Sequence, residues 1–265
     1  MERDAPLEVR PASELDDEAL AELFTAAYEG YLVPFSVDVP TLRFLTEAYD
    51  LDRDASRVAR RGDRLVGLAN LGLRGHDAWI GGVGVVPAER RRGTGRVLMD
   101  AVHEAARSRG ASRVWLEVIV ENTQAISLYE RLGYRLVRDL EVWSLAGAEG
   151  HASEVDAADA HASIRRQRTE REPWQRDDAS LAKVADPRGL RVDGAAAVVR
   201  VAGGRVSVVQ IAGDPAPLQQ LLAGARSLGE TLGILNLPSG HPAGAALAAL
   251  GGRVDVRQHE LLLSL

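Results

Sequence analysis

The chain has 265 residues, 46% hydrophobic and 26% charged, the make-up of one large or two small globular domains and not of a disordered chain. It has no cysteine, which excludes disulfides, thiolate metal sites and a cysteine nucleophile. The net charge of −6 resides in residues 1–150, with 19 basic and 25 acidic side chains, against 13 of each in 151–265; no half is basic, which argues against nucleic acid as the main partner.

Leu7–Arg10 reads as a short strand. Ser13 precedes an acidic first turn, and apolar residues at helical spacing carry a helix to about Tyr28. An aromatic loop with Tyr28, Tyr31 and Phe35 follows, then a short helix over Thr41–Tyr49. Arg57–Arg60 and Leu65–Leu73 flank Arg61-Gly62-Asp63 as a hairpin. Ala78–Val86 reads as a buried strand; Gly81, Gly82 and Gly84 inside it predict a bulge or a close approach to its backbone. After Pro87 comes the basic loop Arg90–Arg96, then a helix that Gly110 stops. Arg113–Val120 is a strand, Asn122 caps a helix through Leu132, and Tyr134–Leu145 can form two short antiparallel strands. The order is that of a mixed sheet with helices on both faces.

Residues 146–153 are small and polar, a linker signal, and 153–168 can form a polar helix. Strands at Ala195–Val201, Arg205–Ala212, Thr231–Leu237 and Arg253–Leu265 then alternate with helices at Pro217–Leu228 and Pro242–Leu250. This series echoes the first half at an offset of 118 residues: Glu121–Ala125 faces Ser239–Ala243, and Leu132-Gly133 faces Leu250-Gly251. The match is faint, but the shared element order favours duplication over chance similarity. At that offset Asn122 becomes Gly240 and Tyr129 becomes Leu247, so the second copy lacks these polar groups. No apolar run reaches the ~18 residues of a membrane span. Charged residues at 1–4 precede no apolar stretch, so the default expectation is a cytoplasmic protein without a signal peptide.

Arg90-x-x-Gly93-x-Gly95 between a strand and an amphipathic helix is an anion cradle. Glycines allow a tight turn that exposes successive N–H groups, the helix adds its positive dipole end, and Arg90, Arg91, Arg92 and Arg96 add charge. A pyrophosphate is the natural occupant; no Gly-Lys-Ser/Thr follows, so it is not a Walker A loop. Downstream stands Leu116-Glu117-Val118-x-x-x-Asn122-x-x-Ala125-x-x-Leu128-Tyr129-Glu130-x-Leu132-Gly133-Tyr134.

Together these motifs resemble the GNAT superfamily of acyl-CoA-dependent N-acetyltransferases, over roughly residues 5–146. The resemblance implies an α/β (α+β) GNAT fold: a mixed, mostly antiparallel sheet flanked by helices, with acetyl-CoA as cosubstrate and no metal. Residues 1–148 would be the acetyl-CoA-binding domain, and 149–265 a smaller, degenerate GNAT-like domain without CoA. The amides of Arg91, Arg92, Gly93, Thr94, Gly95 and Arg96 would bind the CoA pyrophosphate. Val83, Gly84 and Val85 would pair with pantetheine and polarise the acetyl carbonyl. Asn122 would contact the pantetheine arm. Tyr129, seven residues on and on the same helical face, would protonate the CoA sulfur; the alternative is a core tyrosine bonded to backbone. Glu117 has the spacing of the base in the N-terminal-alanine branch, with structural pairing to an arginine as the alternative. Tyr28, Tyr31 and Phe35 fall in the loop that lines the acceptor pocket in relatives, or else pack helix on sheet.

The expected activity is transfer of acetyl to a primary amine, small molecule or peptide, by direct attack in a ternary complex. A mycothiol-synthase-like tandem acetyltransferase is one form of it, and a non-catalytic CoA-binding sensor or scaffold is the alternative. Neither nucleic acid nor membrane is expected as partner. The second half would close the sheet, shape the acceptor site or mediate homodimer formation.

Overall fold

The computed structural model describes residues 5–265. Chain contacts divide the protein into two units, one running to Val137 and taking in Glu260–Leu265, the other spanning Arg138–His259. The boundary expected at 148/149 is therefore not where contacts part. Leu261, Leu263 and Leu265 pack into the first unit's core, whereas Arg253–Leu265 reads in sequence as one uninterrupted strand.

The first unit runs β1 (Leu7–Pro11), α1 (Asp17–Ala27), α2 (Val39–Ala48), β2 (Arg57–Arg61), β3 (Arg64–Arg74), β4 (Asp77–Val85), α3 (Thr94–Ser108), β5 (Arg113–Ile119), α4 (Thr123–Arg131). Pairing is antiparallel from β1 to β4 and parallel between β4 and β5. Alternation along the strands supplies two faces: Val58 and Leu68 pack with Leu20 and Phe24 of α1, while Ala59 and Val66 pack with Leu98 and Val102 of α3. Helix α1 begins later than Ser13 suggests, because Asp16 caps it by accepting from the Ala19 N–H at 2.8 Å. Helix α2 begins earlier than Thr41: Asp38 is its cap, and Pro40 sits in the first turn, where a missing N–H is tolerated.

The second unit repeats this order. After β6 (Arg135–Leu145) come β7 (Ser153–Val155), α5 (Ala157–Gln167), α6 (Asp178–Leu181), β8 (Arg188–Val192), β9 (Ala195–Ala202), β10 (Arg205–Gly213), α7 (Pro215–Arg226), β11 (Thr231–Pro238), α8 (Pro242–Ala249) and β12 (Arg253–Ser264). The offset of 118 holds for the last strands, where β5 and β11 begin at Arg113 and Thr231, and β6 and β12 at Arg135 and Arg253; the earlier elements are spaced differently. Gly133 and Gly251 stop the paired helices with φ of +93° and +81°. Tyr134–Leu145, expected as two strands, forms the single strand β6, which pairs antiparallel with β11. Strand β8 and helix α6 are additions, since Arg-Gly-Leu-Arg-Val carries no clear alternation.

His103 of α3 is buried with its Nε2 2.8 Å from the Tyr134 hydroxyl, and burial pulls its pKa down from 6.5 to about 4. Burial also lowers His241 to about 4. Between those values the unfolded chain binds protons that the native histidines refuse, so the stability they lend is complete above about pH 6.5 and is lost as pH falls toward 4. Thermal melts should show the midpoint dropping across that window, and His103→Gln should flatten part of the drop. A slope unchanged by His103→Gln would remove His103 as a contributor.

Candidate active site

Strands β4 and β5 pair only over Asp77–Trp79 and Arg113–Trp115. The register of β4 against β3 slips between Asn70 and Leu71, where Gly82 faces Asn70 and Ile80 faces Leu71. Gly81 is thus the extra residue of a bulge, as its glycines predict, and Gly82 has φ of +155°. A Cβ on Gly81 would stand 2.7 Å from the Trp79 ring. Beyond the bulge Val86 donates to the Val66 carbonyl at 3.0 Å. In an antiparallel ladder alternate residues then bond β3, so Gly84 is turned to β3 while Val83 and Val85 turn their N–H and C=O groups to the other edge.

That edge borders a cavity of about 980 Å³, whose other walls are the Gly30–Leu32 loop, the Arg90–Arg96 loop and α4. The loop folds as an anion nest. Arg91 and Gly93 take left-handed φ of +61° and +86°, and Gly93 is the N-cap of α3 with no side chain to satisfy the helix's first N–H groups. Beneath it the buried Thr94 hydroxyl has no hydrogen-bond partner among the described residues. A Cβ on Gly93 would meet nothing within 4 Å, and one on Gly95 nothing closer than Leu128 at 3.7 Å. Backbone donors, dipole and free space fit an anionic phosphate group at this place.

The arginines divide sharply. Arg90 Nε donates to the Val85 carbonyl at 2.9 Å and Nη2 to the Ala27 carbonyl at 3.2 Å, which ties the loop to the strand and α1. Arg92 bonds the buried Glu89 at 3.1 Å, together with Arg61. Arg96 pairs with Asp100 one turn along α3. Arg91 makes no side-chain bond among the described residues and lines the cavity. Three of the four arginines are therefore engaged by other residues of the fold.

Tyr129 lines the cavity although only 8% exposed. Its ring packs against Tyr134 at 5.7 Å, and its hydroxyl bonds no other described residue. Burial raises its pKa, with Tyr31 adding to the effect. Asn122 caps α4 through the Ala125 N–H at 3.2 Å and lies near the Tyr31 hydroxyl, where it opposes the rise that burial gives the Tyr31 pKa. Tyr28 stacks on Phe24 at 5.1 Å and meets Tyr31 at 5.1 Å and Phe35 at 5.5 Å. Tyr28 and Tyr31 line the cavity; Phe35, Arg92, Thr94 and Glu117 are outside its wall.

Glu117 sits beside Trp79 and Tyr49, accepting from the Trp79 indole N–H at 2.8 Å. Sequence reasoning missed Gln124, Ser127 and Arg131, which bring α4's polar face to the cavity. Their spacing of three and four residues was the available signal. The second unit has a smaller cavity of about 350 Å³ where its Ser239–Pro242 segment meets Arg168 and Glu172. Among the described residues no group of His, Asp or Glu is placed to hold a metal, and no helix is long and apolar enough to cross a membrane.

Comparison with known proteins adds four findings. Residues 18–134 match the model of the acetyltransferase (GNAT) family. A streptothricin acetyltransferase from Streptomyces lavendulae is 40% identical over 72 residues, 25% of this chain and 38% of that protein. A mycothiol acetyltransferase from Catenulispora acidiphila is 31% identical over 127 residues, 45% of this chain and 40% of that protein. The chain thus matches about two fifths of the length of these curated relatives. A tandem GNAT protein from the clavulanic acid biosynthesis pathway, solved without acetyl-CoA, superposes with a TM-score of 0.66 at 18% identity, covering 98% of each chain. That likeness extends the GNAT fold to both halves.

Proposed function

From a chain whose residues 18–134 match the GNAT acetyltransferase family model, we propose an enzyme that moves an acetyl group from acetyl-CoA to a primary amine by direct attack. The observation that carries the reading is one cavity walled both by the backbone anion nest around Gly93 and Gly95 and by a Tyr129 hydroxyl that bonds no other described residue. The nest amides hold the diphosphate, and Arg91 adds charge. Val83 and Val85 offer strand-edge groups to the pantetheine amides. Gly84, turned to β3, contributes the absence of a side chain.

The chemistry needs a neutral amine, and an alkylammonium holds its proton to about pH 10. It also needs a proton near the departing thiolate, whose own pKa is around 8.5. Tyr129, kept protonated by burial, supplies that proton as the C–S bond breaks. Glu117 is the candidate base, acting through water; what supports it is its place on β5 just past the point where β4 and β5 part. Glu117→Gln should lower kcat/KM about ten-fold and displace the acid limb of the pH profile. An unchanged limb would reduce Glu117 to a support for Trp79.

The second unit, with Asp214 in place of a Gly-rich loop at the start of α7, serves architecture in this reading and leaves CoA to the first. Screening acetyl-CoA consumption across an amine library tests the whole. Release of free CoA with one amine class is expected; CoA binding without turnover on any amine would favour a sensor.

A further inference from the structure

We propose that Tyr28 is a catalytic residue of this site: its hydroxyl, set over Gly82 on the cavity side of β4, donates a hydrogen bond that polarises the thioester carbonyl. The inference rests on the acetyl-transfer reading. That reading assigns the carbonyl to the β4 amides alone, yet in this chain the Tyr28 hydroxyl stands over Gly82 beside the Val83 N–H as a second donor.

Two glycines make room for this phenol. A Cβ on Gly82 would lie 2.8 Å from the Tyr28 hydroxyl oxygen, and one on Gly84 3.0 Å from its ring. The bare stretch of β4, read from sequence as a place of close approach, is approached by the protein's own tyrosine. The ring is clamped, stacked on Phe24 and edged by Tyr31 and Phe35. Asn122 lies near the Tyr31 hydroxyl. An incoming carbonyl therefore meets a fixed hydroxyl at the strand edge and not an amide alone.

The phenol offers its O–H as a donor, and burial holds that proton in place. No proton crosses from Tyr28. The amine nitrogen forms the C–N bond and gives its proton through water to Glu117, charge gathers on the carbonyl oxygen, the C=O re-forms as the C–S pair leaves on sulfur, and Tyr129 gives that sulfur its proton and regains one from solvent. Tyr28 serves the oxygen and Tyr129 the sulfur.

The test compares wild type with Tyr28→Phe, which keeps the ring packing. A ketone analogue of acetyl-CoA, with methylene in place of sulfur, reports on the carbonyl by isotope-edited infrared spectroscopy. In wild type its bound C=O stretch should move to lower frequency than in water; in Tyr28→Phe most of that shift should vanish. Turnover should fall about 10²-fold, the effect of losing one oxyanion donor, with CoA affinity by calorimetry within two-fold. A retained shift and retained turnover would overturn the proposal and leave the backbone amide as the donor. If the phenylalanine variant melts, 3-fluorotyrosine at position 28 serves instead. Its stronger donor should deepen the shift, and an unchanged frequency counts against Tyr28. A wild type that neither binds CoA nor acetylates any amine would overturn the acetyl-transfer reading itself, and this inference with it.

Discussion

Tyr129→Phe is expected to lower kcat about 10²-fold, within the range of a lost general acid, while acetyl-CoA affinity stays within two-fold. The substitution removes one oxygen that bonds no other described residue, so no buried partner is orphaned. The phenyl ring keeps its contact with Tyr134, and the fold should melt within a few degrees of wild type. Because burial raises the Tyr129 pKa above its ordinary 10.0, the wild-type enzyme should show no alkaline loss of kcat below about pH 10 from this group. Steady-state kinetics over pH with calorimetry on both proteins checks each part. Undiminished turnover would make Tyr129 a core residue that happens to face a cavity.

The second large effect is expected at the nest. Gly93→Val places a branched residue at φ of +86°, a conformation costing an L residue about 1–2 kcal/mol. Nothing crowds a Cβ there, so the damage comes from the backbone turning away and not from a clash. Gly95→Val has ordinary backbone but sets its methyls on the cavity wall, in front of the first-turn amides. Each charge-assisted bond lost to a phosphate is worth about 1.5–3 kcal/mol, and about 1.4 kcal/mol is ten-fold in affinity. Each variant should therefore weaken CoA binding at least about ten-fold, measured by calorimetry. Equal affinity in both would remove the nest from the account.

The first unit was legible because its signals are local. Helix caps, the Gly62 turn and the glycines of the β4 bulge each declare their conformation through one or two residues. Asn122 as cap of α4 and the nest before α3 were readable for the same reason. What stayed hidden depends on distant partners. That Arg90 and Arg92 are tied up follows from the Val85 carbonyl and Glu89 lying within reach, which no spacing rule gives. That Gly82 and Gly84 are cleared for Tyr28 follows from α1 packing on β4. Likewise β12 is one strand by pattern, and only the packing of Leu261 shows that its end belongs to the first unit's core.

The most direct measurement is a crystal structure of the protein with bound CoA. The account predicts diphosphate oxygens within hydrogen-bond distance of main-chain nitrogens between Arg91 and Arg96, and the sulfur beside the Tyr129 hydroxyl. A diphosphate held elsewhere, with that loop making no contact to it, would contradict the account.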